Sequence, residues 1–326
     1  MVLSLITAGC AGGDTGSSAP GGGEDAGPLR ITSTVWVGYG PLYLARDKGF
    51  FEEEGVEVEL ITQTDFKQQF AALAAGRVDG IANVVDAAIS YHIPNVDYQM
   101  VLALDDSQGG DGIGATTDIQ SISDLAGKKV GYETGATAEF FFNVMLEREG
   151  MTDEDVEHVE MLGSDAGAAL LAGRIDAAVT YEPFLSEVRN GDNTHVLLDT
   201  RETPGLITDV LMFSKEVIES RPDDIQAVVD AYYKALEYYE ENPEESIEIM
   251  AAGVGGFLKD PKAFEETLQY VTFLDEQDNQ EYFSDPAAEG TQIEETTSNA
   301  VDIWGRIKDL EGLPPATDFI TDEFVK

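Results

Sequence analysis

Eight acidic side chains lie in or beside short segments that carry no lysine or arginine: Asp65, Asp86, Asp105, Asp106, Asp111, Glu133, Glu182 and Asp209. Three aromatic residues, Trp36, Tyr39 and Tyr181, stand in segments of the same kind. Carboxylates accept hydrogen bonds, and an aromatic face holds a cation or stacks on a ring. Together they suit an amine or an aminopyrimidine, whereas a bare dianion would meet repulsion. The acids also have a plainer use, because Asp at a helix start ordinarily caps the helix. Small and hydroxyl residues complete the candidate set: Gly40, Asn83, Thr134, Gly135 and Thr137. Thr134-Gly135-Ala136-Thr137 opens a helix, where free backbone N–H groups could dock a carboxylate, sulfonate or nitrate without arginine.

Catalytic chemistry finds little support. His92, His158 and His195 lie outside these segments. The sequence has no metal-ligand spacing, no P-loop and no Gly-x-Ser-x-Gly. We therefore expect a binding protein rather than an enzyme, with no catalytic residue, no cofactor and no metal.

The elements that must position these residues are written twice, about 100 residues apart. Gly49, after a helix over Leu42 to Lys48, leads to an alternating strand over Val56 to Ile61. Asp65 then caps a helix that ends at Ala75-Gly76-Arg77-Val78-Asp79, with a strand over Val78 to Ala82. In the second copy, Gly150 leads to a strand over Val156 to Met161. A helix after Asp165 ends at Ala172-Gly173-Arg174-Ile175-Asp176, with a strand over Ile175 to Thr180. Each copy reads as helix, glycine stop, strand, helix, glycine stop, strand, which is half of a small parallel α/β domain. Ligands of such sheets sit beyond the carboxyl ends of the strands, and the candidate residues fall there.

The spacing predicts an α/β protein of two lobes, with lobe one over 29–110 and 208–326 and lobe two over 111–207. Two crossings join them: the glycine-rich segment Asp105 to Gly112, and Thr203-Pro204-Gly205 with the apolar run Leu206 to Phe213. From Pro222 onward the pattern is helical, with Ile225, Val228, Val229, Tyr232, Leu236 and Tyr239 on one stripe. Further helices are expected over Ala263 to Phe273 and Thr296 to Ile307. Such a paired crossing can bend without unfolding either lobe.

There are 63 acidic residues against 19 basic ones, a formal net charge of −44. Phosphate contacts need Lys and Arg, so nucleic acid is excluded as a partner. Such like charge would strain the fold in dilute buffer. At molar salt the Debye length falls to about 3 Å. The composition is that of an extreme halophile. The single cysteine, Cys10, rules out a disulfide within the chain. It follows a short apolar run and precedes a Gly-, Ser- and Pro-rich stretch, and residues 1–28 resemble a lipoprotein signal followed by a flexible tether. Lipid on Cys10 would hold the domain at a membrane, at roughly 0.8 kcal/mol per buried methylene.

The block Tyr39-Gly40-Pro41-Leu42-Tyr43-Leu44-Ala45-Arg46-Asp47-Lys48-Gly49-Phe50-Phe51, the two Ala-Gly-Arg-hydrophobic-Asp segments and Tyr181-Glu182-Pro183 resemble the substrate-binding proteins of nitrate, sulfonate and taurine ABC importers. That family also includes binders of thiamine pyrimidine precursors and of bicarbonate. The resemblance spans Leu29 to Lys326. It implies a type II periplasmic-binding fold, two parallel-core sheets with a helical C-terminal tail on lobe one, closing as a monomer on a small solute. It implies an ABC permease and its ATPase as partners, at the extracellular face of the cell membrane. By the same resemblance, Tyr39, Gly40 and Pro41 match the first ligand loop, Asp86 and its neighbours the second, and Tyr181 and Glu182 the loop of lobe two. The alternative is a cytoplasmic enzyme on the same fold, similar to a pyrimidine-precursor synthase or a dehydratase, although the cysteine-rich motif of the synthases is absent.

Overall fold

The computed structural model describes residues 27–284, 291–308, 310 and 312–326. In chain order the strands are β1 (Leu29–Ser33), β2 (Val58–Thr62), β3 (Gly80–Val84), β4 (Tyr98–Ser107), β5 (Asp111–Thr116), β6 (Lys129–Tyr132), β7 (Glu157–Glu160), β8 (Ala177–Tyr181), β9 (Thr194–Asp199), β10 (Thr208–Ser214) and β11 (Val271–Phe273). They form two sheets, one ordered β11-β4-β10-β3-β1-β2 and the other β7-β6-β8-β5-β9. In each, a central strand pairs in parallel with two neighbours: β1 with β2 and β3, and β6 with β7 and β8. The lobe-one and lobe-two copies thus have the same local topology.

The repeated Ala-Gly-Arg-hydrophobic-Asp segments act alike in both. Gly76 and Gly173 adopt left-handed backbone (φ 62° and 65°), which glycine enters without steric cost. The next arginine returns its N–H to the carbonyls of Ala72 and Ala169. The aspartate two residues on then reaches sideways. Asp79 accepts from the Arg30 backbone N–H and Asp176 from that of Lys129, both at 2.8 Å. Each thus ties the run-up to one strand onto its central neighbour.

The crossings are shorter than the sequence pattern suggests. Asp105 and Asp106 lie on β4, which runs to Ser107, and only Gln108 to Gly110 separate it from β5. The run Leu206 to Phe213 is mostly β10, an antiparallel strand inserted between β3 and β4. In the second sheet β5 takes the matching place between β8 and β9. Glycine at 112 and 114 masks β5 as a loop, yet a Cβ at Gly114 would stand 2.5 Å from Val188, so the strand needs the missing side chain.

The long helix Pro222–Glu241 buries Ile225, Val228, Val229, Tyr232 and Leu236 on the expected stripe. It and the helix Pro243–Val254 cover the lobe-one helix Gly40–Lys48. The expected helix over Ala263 to Phe273 stops at Leu268, and the β-branched Val271 and Thr272 pass into edge strand β11. The last long helix, Gln292–Ile307, lies on the lobe-one helix Val85–Ser90 and also touches the lobe-two helix Thr137–Arg148. There Trp304 stacks on Phe140 (6.2 Å between centroids) and Arg306 pairs with Glu147. The tail therefore sits on lobe one and reaches across to lobe two. No described helix is long and apolar enough to cross a membrane. Cys10 lies outside the described residues.

Candidate ligand-binding cleft

A cavity of about 550 Å³ opens where the carboxyl ends of both parallel cores meet. Nine of the sequence-selected residues line it: Trp36, Tyr39, Asp65, Asn83, Asp111, Glu133, Thr137, Tyr181 and Asp209. The local reasons are visible. Asp65 caps the helix Phe66–Ala74 by accepting from Gln68 N–H (3.0 Å), which fixes its loop at the end of β2. Asn83 is buried at the end of β3, donating to Gln69 (2.7 Å) and accepting from Val84 N–H (2.8 Å). Tyr39 ends a short turn in front of Gly40, and its hydroxyl donates to Asp209 on β10. Trp36 meets Tyr181 edge-on across the gap at 6.4 Å.

The other seven candidates, Asp105 among them, lie off the cavity wall. Gly40 starts a helix packed so tightly under the tail that a Cβ would come within 2.8 Å of Met250 Sδ. Asp106, near the end of β4, accepts from Gly205 N–H (3.1 Å) and Thr208 Oγ1 (3.3 Å). The Thr134 hydroxyl donates to Glu160. Gly135 bridges the lobes, its carbonyl accepting from Ser90 Oγ (2.9 Å). Glu182 turns away, pairing with Arg189 (2.9 Å) and accepting from Ser186 N–H (3.0 Å). Asp86 lies just behind the wall and accepts from Thr137 Oγ1 on the facing lobe (3.2 Å).

The lining also includes five large side chains that the sequence pattern does not single out: Phe66, Tyr91, Phe141, Leu162 and Phe257. Four sit on or beside helices, where an apolar residue reads as core. Phe257 has a sequence signal, since Gly255-Gly256 ends the preceding helix and sets the aromatic outside its apolar stripe. It is 37% exposed and closes against Tyr181 (6.3 Å) and Phe184 (5.1 Å) of lobe two.

Among the described residues no lysine or arginine lines the cavity. Its acids feel burial and one another. Burial pushes the Asp86 carboxyl up to about 7, with the Thr137 hydrogen bond and Lys308 pulling against it. Burial likewise takes Asp111 up to about 7, although Ser107 Oγ donates to it (2.8 Å). Asp105 rises to about 8 through burial, opposed by the Trp36 indole N–H (3.0 Å) and reinforced by Asp106 and Asp111. Asp209 rises well above the carboxylate range, through burial and then the charge of Asp105. Gly38 makes room for this cluster, since a Cβ there would fall 1.7 Å from Asp105 Oδ2. The Lys308 ammonium is held by Ser90 Oγ (2.5 Å) and lies 4.6 Å from the ring centres of both Tyr91 and Trp304. Among the described residues no cluster of His, Cys, Asp and Glu is arranged to hold a metal ion.

Two sheets of matched topology flanking a cleft define a periplasmic-binding-protein fold. The crystal structure of the periplasmic aliphatic sulphonate binding protein SsuA from Escherichia coli shares it, with a TM-score of 0.73 at 17% identity, covering 91% of this chain and 98% of that one. The chain belongs to the NMT1/THI5-like family, whose model matches residues 36–246. It is 22% identical over 255 residues to a putative aliphatic sulfonates-binding protein of Bacillus subtilis, covering 76% of this chain and 75% of that protein. It is 25% identical over 260 residues to a 4-amino-5-hydroxymethyl-2-methylpyrimidine phosphate synthase of Aspergillus parasiticus, covering 72% and 73%.

Proposed function

We propose that this chain is the solute-binding component of an ABC importer, taking a small nitrogen- or sulfur-bearing solute of the nitrate, sulfonate, taurine or aminopyrimidine class. The observation that carries this reading is one cavity walled by both lobes, with Trp36, Tyr39 and Asp209 on one side and Asp111, Thr137 and Tyr181 on the other. A ligand shifts an open–closed equilibrium only by its differential affinity for the two states. A solute touching both walls has that difference built in. The similarity to sulfonate-binding proteins supports the same reading.

The remaining features fit one setting. Lipid on Cys10 would hold the receptor at the outer face of the membrane, beside its permease and ATPase, as a monomer. A charge of −44 is tolerable where molar salt screens it. The test is equilibrium dialysis of the full chain in molar salt against a pool of small sulfonates, nitrate, taurine, aminopyrimidines and amines. A receptor retains one solute at one equivalent, chemically unchanged. Conversion of a pooled solute to product would favour the synthase-like alternative, and retention of none would remove the receptor reading.

A further inference from the structure

The charge of the solute can be read more narrowly. We infer that the cleft takes a cation: a protonated or quaternary amine, or an amidinium, on a body small enough for about 550 Å³. This rests on the receptor reading and sets amine-bearing solutes in place of the anions of its solute class.

The charge balance comes first. Asp65, Asp111, Glu133 and Asp209 line the cavity directly, with Asp86 and Asp105 close behind its wall. Among the described residues none of these six forms an ion pair with a basic side chain. In a chain with 63 acidic residues, that cluster alone would say little.

The second observation is independent of the count. Asp86 is 3% exposed and reaches across the gap to Thr137 on the facing lobe, and the Lys308 ammonium acts on it from outside the cavity lining, yet its Oδ2 accepts no hydrogen bond. Asp105 is fully buried, and its Oδ2 is likewise without one. A buried carboxylate oxygen with no donor is costly. It is relieved by taking up a proton or by meeting a cation. Burial raises Asp86, Asp105 and Asp111 toward neutral pH, which is the first course. An ammonium held against Asp111 and Asp209, which line the cavity, offers the second and would displace protons from the cluster.

The helix opening at Thr137 already carries a carboxylate at its start. Glu139, in its first turn, places Oε2 on the Gly135 N–H at 2.7 Å, just ahead of the helix. A sulfonate docked on that helix start would face this carboxylate and the remaining acids. A cation meets no such obstacle, and Trp36, Tyr39, Tyr91 and Tyr181 wall the same space with rings that favour positive charge.

The experiment is titration calorimetry on the full chain at constant ionic strength. The probes are choline, putrescine and acetamidine as cations, methanesulfonate, taurine and nitrate as the other charge types, and 4-amino-2-methylpyrimidine as a largely neutral ring. At least one cation is expected to bind at one equivalent, releasing protons at pH 7. Asp209→Asn and, as a second variant, Asp111→Asn should each weaken it at least tenfold. Glu237→Gln, on the exposed face of the helix Pro222–Glu241, removes the same charge and should change affinity less than twofold. Saturable binding of methanesulfonate, taurine, nitrate or the pyrimidine with no cation bound would overturn the inference and leave the receptor reading standing. No binding by any probe would overturn both.

Discussion

Glu182 and Asp209 are withdrawn from solvent to the same degree, at 1% and 2% exposed, yet their surroundings differ. Glu182 is met by the Arg189 guanidinium, and Asp199, also buried on lobe two, by that of Arg201. Asp209 receives only the Tyr39 hydroxyl, Asp86 only the Thr137 hydroxyl and Asp105 only the Trp36 indole. The chain has few basic residues, and two of its arginines stand beside these buried acids of lobe two. Around the cleft each of the three acids receives one neutral donor, and Asp86 alone of them also feels a cation, the Lys308 ammonium. The cleft acids are therefore more than the overflow of an acidic composition.

Removing the guanidinium from the first region is the most damaging way to probe this contrast. Arg189→Ala leaves Glu182 buried and unpaired and should cost about 3 kcal/mol, read from urea unfolding in molar salt. A variant as stable as the parent would erase the distinction between the two regions. Next is the packing around the cleft cluster. Gly38→Ala forces a methyl group onto the Asp105 carboxylate and should cost about 2 kcal/mol. Adding Asp105→Ala to it should recover part of that loss, and strict additivity in the double-mutant cycle would mean the two sites do not touch.

The pH dependence sharpens the comparison further. Asp86, Asp105 and Asp111 hold protons up to about 7 or 8 in the fold, while unfolded aspartate ionises near 4. Between those limits the folded state binds more protons than the unfolded one. Stability of the ligand-free protein should therefore fall as pH rises from about 4 to about 8, then level off. A drop in Tm of at least about 2–4 °C between pH 5.5 and 8.5 is expected, and a rise over that window would contradict the assignment. The smallest effect belongs to Thr137→Val, which removes one hydrogen bond between the lobes. It should cost about 1 kcal/mol and leave the Arg189–Glu182 region untouched by hydrogen exchange.

The parallel halves of both sheets were legible in the sequence because glycine stops such as Gly76 and Gly173 and alternating strands such as Val58–Thr62 are local signals. Strands β5 and β10 were not. Their pairing is antiparallel to segments 60 or more residues away, and no local period marks it. Residue type places Asp105 and Asp106 in a loop, whereas the fold continues β4 through both. For the cleft, loops at strand ends such as Trp36–Tyr39 and Thr64-Asp65 could be named in advance. Glu182 could not be separated from Asp209, since only the fold shows that Arg189 stands beside one and no cation beside the other.

The insertion of β10 between β3 and β4 bears on synthesis. As the chain leaves the ribosome, the strands of lobe two, β5 to β9, are complete by Asp199. Lobe one must wait for Ser214, because until then β4 has no bonded neighbour linking it to β3. The part of the molecule made first is therefore the last to be finished, and its sheet edge stays open to any chaperone while the later lobe takes shape.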